Sequence, residues 1–243
     1  MTSKSNLIEA INLRHTVRRY KPTEIDFDNR KFILERVNKL NSSYNLMMRA
    51  VFDDDSALSL LGKFVLSKNA RNFIVLAGKD NQQEQLGYCA ADLMLYIQTL
   101  GLNSWFVGGT YNRQKLENKY HEPVWGIVVL GYGLDSGKKH ACKSLNQVSV
   151  SDNDVEWYKK GVVAALKAPT ALNKQNFKFI LANGVVELEV KESSYAKLEL
   201  GILRYFFELA SGKKIEKKKL SKMIVYIVKK ERLLKLYNIN SFL

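Results

Sequence analysis

The stretch Ala168-Pro169-Thr170-Ala171-Leu172-Asn173-Lys174-Gln175-Asn176-Phe177 decides how this chain is to be read. Pro169 ends whatever helix precedes it, because proline lacks the amide proton a helix needs. Asn, Pro and Thr form turns, so a plain connection into the following apolar run is one reading. The other is a ligand contact. Pro169, Thr170 and Ala171 let backbone approach a flat molecule closely, and the carboxamides of Asn173 and Gln175 both donate and accept along its edge. The stretch gains its sense from a second one far upstream, Arg14-His15-Thr16-Val17-Arg18-Arg19-Tyr20. Arg14 and Arg18 stand four residues apart, so a helix persisting through Val17 would turn both guanidinium forks toward one phosphate. Thr16 adds a hydroxyl. Taken alone, His15 reads as an ordinary half-buried histidine and Arg19 as a solvated charge.

Periodicity places the elements around these two stretches. Leu7, Ile8, Ala10, Ile11 and Leu13 predict a helix over Asn6 to Leu13 that delivers Arg14 at its end. A second helix is expected from Asp28 to Leu40, with Phe32, Ile33, Val37 and Leu40 on one face. Asp53-Asp54-Asp55-Ser56 reads as a metal loop or, preferably, as the cap of a short helix. The apolar runs Phe73 to Ala77 and Val124 to Leu130 read as buried strands. Between them Gly87 to Gly101 is apolar on nearly every face and predicts a central buried helix, with Asp92 near its start favoured by the helix dipole. Leu134 to Val150 reads as a connection. A helix follows from Asp154 to Lys167. Phe177 to Leu181 and Val185 to Val190 then flank Asn183-Gly184, a strong hairpin signal. Ser194 to Leu209 predicts a further helix stopped by Gly212, and Met223 to Val228 a last strand. Irregular alternation with a clear hairpin points to α+β.

With 243 residues and 46% hydrophobic content the chain can bury a substantial core. No run of about 18 apolar residues suggests a membrane span, and the first residues lack a signal-peptide core. Two cysteines, Cys89 and Cys142, make no disulfide framework, and a reducing cytoplasm is the expected location. The net charge is +14, and ten Lys or Arg against two Glu between Lys213 and Lys235 supply +8 of it. Such a segment can meet nucleic acid or anionic lipid through counterion release. No aromatic platform or known nucleic-acid motif accompanies it, so a solvated surface is the preferred reading. Zincin, Rossmann, Walker and nucleophile-elbow patterns are absent.

The two opening stretches together resemble the paired FMN-binding signatures of the nitroreductase family, R-[HR]-[ST]-x-[RK] and P-[ST]-x-x-N-x-Q. Family members bring the first from one subunit and the second from its partner. Here the second is delayed to the C-terminal half, Ser42-Ser43-Tyr44-Asn45 is at best a remnant of it in the first half, and Asn176-Phe177 stands where many relatives have Pro-Trp. Gly101 to Gly109, with Trp105, resembles the segment that presents backbone amides near the flavin, and Leu130-Gly131-Tyr132-Gly133 the strand-ending L-G-Y-P. The resemblance covers roughly residues 6 to 211 and is closest to the subgroup built as fused halves.

It implies an α+β nitroreductase-like fold of mostly antiparallel sheets packed with helices. It also implies two halves, 1–150 and 151–243, closing as a pseudo-dimer over one FMN, as a monomer or a weak homodimer. The implied cofactor-binding residues are Arg14, His15, Thr16, Arg18, Gly108, Gly109, Lys139, Lys143, Pro169, Thr170, Ala171, Asn173 and Gln175. The implied reaction passes hydride from NAD(P)H through FMN to a nitroaromatic or quinone-like acceptor, without a catalytic side chain. A flavin-binding sensor without turnover, or a basic nucleic-acid-interacting protein, are the alternatives.

Overall fold

In the computed structural model, which describes residues 3–139 and 141–215, two sheets and a helical layer share one core. The helix α1 (Lys4–Leu13) is capped by Ser3, whose hydroxyl accepts from the Asn6 amide, and buries Leu7, Ala10 and Ile11. The longer α2 (Phe27–Tyr44) starts at Asp26 and buries Ile33, Val37 and Leu40. Strands β1 (Arg49–Val51), β2 (Asn72–Ala77), β3 (Asn103–Val107) and β4 (Val124–Gly131) form an antiparallel sheet in the order β1-β2-β4-β3. Every residue of β2 is buried, because both of its faces are covered. Ile74 and Leu76 face the helical core, while Phe73, Val75 and Ala77 meet a second cluster with Val17, Tyr20, Trp105 and Tyr111.

The central helix α3 (Gln83–Thr99) is buried along most of its length. After β3 come α4 (Arg113–Tyr120), β4, the short α5 (Leu145–Val148) and β5 (Ser149–Ser151), then α6 (Glu156–Leu166). A second sheet pairs β5 in parallel with β6 (Phe177–Ala182), which pairs antiparallel with β7 (Val185–Val190). The hairpin turns at Asn183 and Gly184, both at positive φ (51° and 74°), as its sequence predicts. The last described helix, α7 (Ala196–Ser211), packs along α3.

The two helices meet closely because each carries a glycine at the crossing. A Cβ added at Gly87 would stand 2.0 Å from the Leu198 carbonyl oxygen, and one at Gly201 would stand 1.9 Å from that of Glu84. Each glycine thus meets the residue three positions before the other.

Several expectations are corrected. Asp53 to Ser56 caps no helix: Asp54 Oδ1 accepts from the Ser56 amide at 2.7 Å in a tight turn. The three carboxylates pair with Arg30, Lys119 and Lys63 in turn. Asp92 lies well inside α3, beyond reach of the dipole end, and is held instead by both forks of Arg36 at 2.7 and 2.6 Å and by the Tyr205 hydroxyl at 2.7 Å. The segment Leu134 to Val150 contains α5 and β5, and β3 and α4 were not expected as elements. Met223 to Val228 and most of the Lys-rich stretch lie outside the described residues. No described helix is long and apolar enough to cross a membrane.

Candidate functional site

The helix α1 stops at Leu13, as its apolar spacing predicts, and does not persist through Val17. Arg14 donates its amide to Ala10 O at 2.9 Å and then leaves the helix with an extended backbone (φ −71°, ψ 121°). The following residues run beside the edge of β3, where Val17 N donates to Ser104 O at 3.1 Å. The helical spacing that would have set Arg14 and Arg18 on one phosphate is therefore absent. Arg18 is exposed and lays its guanidinium over the Trp105 ring, 5.2 Å from the centroid. His15 and Thr16 are backed by Gly137, where an added Cβ would stand 2.8 Å from the His15 Cβ.

Arg14 itself is only 2% exposed. Its Nη2 donates to Lys167 O at 3.2 Å, while Nε and Nη1 are buried without a hydrogen-bond partner. No carboxylate pairs with it among the described residues, and burial pulls its pKa down to about 10. Buried charged donors left unmet cost about 1–3 kcal/mol or more, so this group is suited to receive an anion.

Lys167 ties the two distant stretches together. Besides accepting from Arg14, it reaches Asn12 Oδ1 with its ammonium group. Three residues further on, Thr170 opens a turn (Ala171–Asn173) in which Leu172 and Asn173 have φ of 52° and 53°, and Gln175 just beyond has 48°. Left-handed backbone costs a non-glycine residue about 1 kcal/mol or more, so strain is concentrated here.

Gln175 is 1% exposed and occupied by the protein itself. Its Oε1 accepts from the Lys143 amide at 2.7 Å, and its Nε2 lies within 3.3 Å of the carbonyls of Ala141 and Leu166 and 3.2 Å from Asn173 Oδ1. The Lys143 ammonium bonds Gln175 O at 2.9 Å. In this arrangement Gln175 and Lys143 fasten the turn to its neighbours; the Gln175 carboxamide has little left for a ring, while the Lys143 ammonium has three protons and gives one to Gln175 O. Asn173 is exposed and spends one amide proton on Ala141 O at 2.8 Å, keeping the other. Pro169 and Thr170 are half-buried, and Lys139 is exposed.

The turn is held from the other side by a residue the sequence did not single out. Glu199, in the first turn of α7, accepts from the Ala171 amide at 2.6 Å and is 6% exposed. Burial raises its carboxyl pKa, against the smaller opposing pull of that amide. One turn earlier, Tyr195 lies against the glycine pair at the end of β3. A Cβ on Gly108 would meet its ring at 2.9 Å, and one on Gly109 its hydroxyl at 2.7 Å. Tyr195 and Glu199 carry no sequence signal, since a Tyr and a Glu opening a helix are ordinary.

The two stretches, the glycine pair and the start of α7 thus form one connected strip. A cavity of roughly 480 Å³ lies elsewhere, between α2 and β1, and shares none of these residues.

The family model described as "Putative TM nitroreductase" matches residues 6–211. Among solved structures, the chain is similar to the putative nitroreductase of Thermotoga maritima at 17% identity and a TM-score of 0.61, over 90% of this chain and 92% of that one. An FMN-dependent nitroreductase of Clostridium difficile aligns at 19% identity and a TM-score of 0.46, over 58% of this chain and 94% of its own. A nitroreductase-like protein of Streptococcus mutans aligns at 15% and 0.49, over 60% and 97%. No protein of curated function matches.

Proposed function

The chain belongs to the putative TM nitroreductase family, and from that premise we propose that it is an FMN-dependent oxidoreductase taking electrons from NAD(P)H. The observation that carries this reading is Arg14, a buried guanidinium whose Nε and Nη1 have no hydrogen-bond partner and whose Nη2 bonds Lys167 O, three residues before Thr170. A phosphate there would satisfy both donors and offset the cost of burying the charge. Asn173 has an amide proton to offer a ring edge. Gln175 and Lys143 act behind these groups by holding the turn in its strained shape.

Bound FMN would supply the hydride chemistry, passing two electrons from the nicotinamide to a nitroaromatic or quinone-like acceptor. The protein's part is to bind, to orient and to exclude water. Were Tyr195 to turn aside from Gly108 and Gly109, which it now covers, their backbone amides would become candidates to meet charge building on the flavin.

We further propose that residues 1–150 and 151–243 are fused halves of a pseudo-dimer. The reciprocal contacts of Gly87 and Gly201 support this, because a two-fold interface repeats each contact with its partners exchanged. One FMN per chain is then expected. The test is the visible spectrum of the purified protein and the flavin released on denaturation. A colourless protein that takes up no flavin from added FMN would end this reading.

One observation favours flavin binding without turnover: Tyr195 covers the glycine pair. Anaerobic addition of NADH or NADPH separates the two, since only the enzyme bleaches.

A further inference from the structure

Tyr195 differs from the buried tyrosines of this chain in how its ring is held. Tyr20, Tyr111, Tyr158 and Tyr205 donate their hydroxyls to Val17 O, Val124 O, Val150 O and Asp92 Oδ2 at 2.6, 2.8, 2.9 and 2.7 Å. The Tyr195 hydroxyl makes no hydrogen bond among the described residues. Its backbone, by contrast, is fixed: the amide donates to Ser193 Oγ at 3.2 Å and the carbonyl accepts from Glu199 N at 2.9 Å. The residue is half-buried, and contact alone keeps its ring in place.

What the ring touches is bare main chain. Gly108 is half-buried and Gly109 exposed, and a Cβ on them would stand 2.9 and 2.7 Å from Tyr195. Neither glycine has a positive φ, so the backbone conformation does not call for glycine there. The missing side chains serve the close approach of a flat ring. Tyr195 can leave this seat by rotation about χ1, with no hydrogen bond broken and no turn of α7 unwound. The seat also adjoins the Thr170 turn, because Glu199, one turn further along α7, accepts from the Ala171 amide at 2.6 Å.

We propose that Tyr195 is a built-in competitor: its ring holds the glycine seat in the empty protein and yields it to the isoalloxazine ring of FMN. The proposal rests on the flavin reading above and adds a regulation to it. Flavin enters only the fraction of molecules whose tyrosine has swung out, and the apparent affinity is lowered by that fraction. Leaving the seat exposes part of one aromatic ring, which sets the open fraction at about one in ten.

The experiment follows the quenching of FMN fluorescence, at equilibrium and in stopped flow, with the wild type, Tyr195→Phe and Tyr195→Ala. Tyr195→Phe should match the wild type, since the hydroxyl holds nothing. Tyr195→Ala should bind FMN about tenfold more tightly, with the whole gain in the association rate, because only the empty protein is changed. Thermal unfolding without FMN checks that the Ala variant is folded; if it is not, Tyr195→Leu, which keeps apolar volume without a flat ring, carries the same test. Equal or weaker binding by the variant would overturn the proposal and leave the flavin reading intact. So would a gain that comes through slower dissociation, the sign of a tyrosine that crowds the bound ring instead of blocking its entry. If neither wild type nor variant takes up FMN, the flavin reading and the proposal fall together.

Discussion

The two ends of α7 carry glutamates in opposite circumstances. At its C-terminal end Glu208 accepts from Arg204 at 2.8 Å, Lys214 at 2.7 Å, Tyr88 at 2.9 Å and the Ile215 amide at 3.0 Å. Burial alone would raise its pKa, but Lys214 and Arg204 outweigh it and hold the carboxyl below its usual value. At the N-terminal end Glu199 has the Ala171 amide and no ion pair among the described residues, and burial raises its pKa. Around Glu199 lie the unmatched Arg14, the three left-handed residues and the tyrosine seated on two glycines. One end is satisfied and the other is not. Unsatisfied charge and strained backbone collect where a ligand is to complete the structure, which is why the second end is the candidate site.

The comparison is tested most severely between the two ends, at the crossing that holds both in place. Gly201→Val drives carbon into the Glu84 carbonyl and should cost about 3 kcal/mol or more, read as a lowered urea midpoint. A midpoint within error of the wild type would mean that α3 and α7 do not meet as described.

At the site end, FMN at about 100 times its Kd should stabilise the wild type by about 2.7 kcal/mol. Arg14→Met should lose most of that gain while being no less stable without FMN, because it removes a buried charge that nothing balances. Thermal unfolding with and without FMN reads both quantities. A variant that melts lower without ligand would show Arg14 to be a structural residue.

The two glutamates should respond to pH with opposite signs. Glu208, with its folded pKa lowered, contributes stability above the ordinary 4.5 that is lost as pH falls below it. Glu199, with its folded pKa raised, disfavours the folded state progressively as pH rises through 4.5 toward its folded value. Glu208→Gln should cost about 2 kcal/mol at pH 7, since Arg204 keeps Glu84 and Lys214 remains solvated. Glu199→Gln should cost nothing at pH 7 and flatten the decline above 4.5. Unfolding curves from about pH 2 to 8 would refute the contrast if both variants shifted the profile the same way.

The smallest effect concerns strain alone. Leu172 is 87% exposed with φ of 52°, so Leu172→Gly gives up no packing and should stabilise the protein by about 1 kcal/mol. Loss of stability there would mean that the turn is not strained.

Much of the fold was legible. The 3.6-residue stripe of α2, the unbroken apolar strands β2 and β4 and the Asn183-Gly184 hairpin are local patterns with local causes. β3 was not, because Asn103-Ser104-Trp105-Phe106-Val107 shows no clean alternation and becomes a strand by pairing with β4. The helix end at Leu13 was legible, but the path beyond it was not: Val17 donates its amide to Ser104 O, a partner distant in sequence, so Arg14 and Arg18 do not share a helical face. Of the site, Arg14 and the Thr170 turn could be read from residue types. Tyr195 and Glu199 could not, since nothing in their surroundings distinguishes them from any helix start.

By itself the sequence determined where most of the elements lie and singled out the two stretches of the candidate site, because helical and strand periods and the chemistry of Arg, Asn and Gln are properties of residues and their spacing. Only the tertiary structure decided how those residues are used. It spent Gln175 on Lys143, Ala141 and Leu166, left Arg14 with unmet donors, and laid Tyr195 across Gly108 and Gly109. The physical reason is that a polar group's worth depends on which partners the folded chain brings within hydrogen-bond reach, and for Arg14 that partner, Lys167, comes from the other half of the sequence.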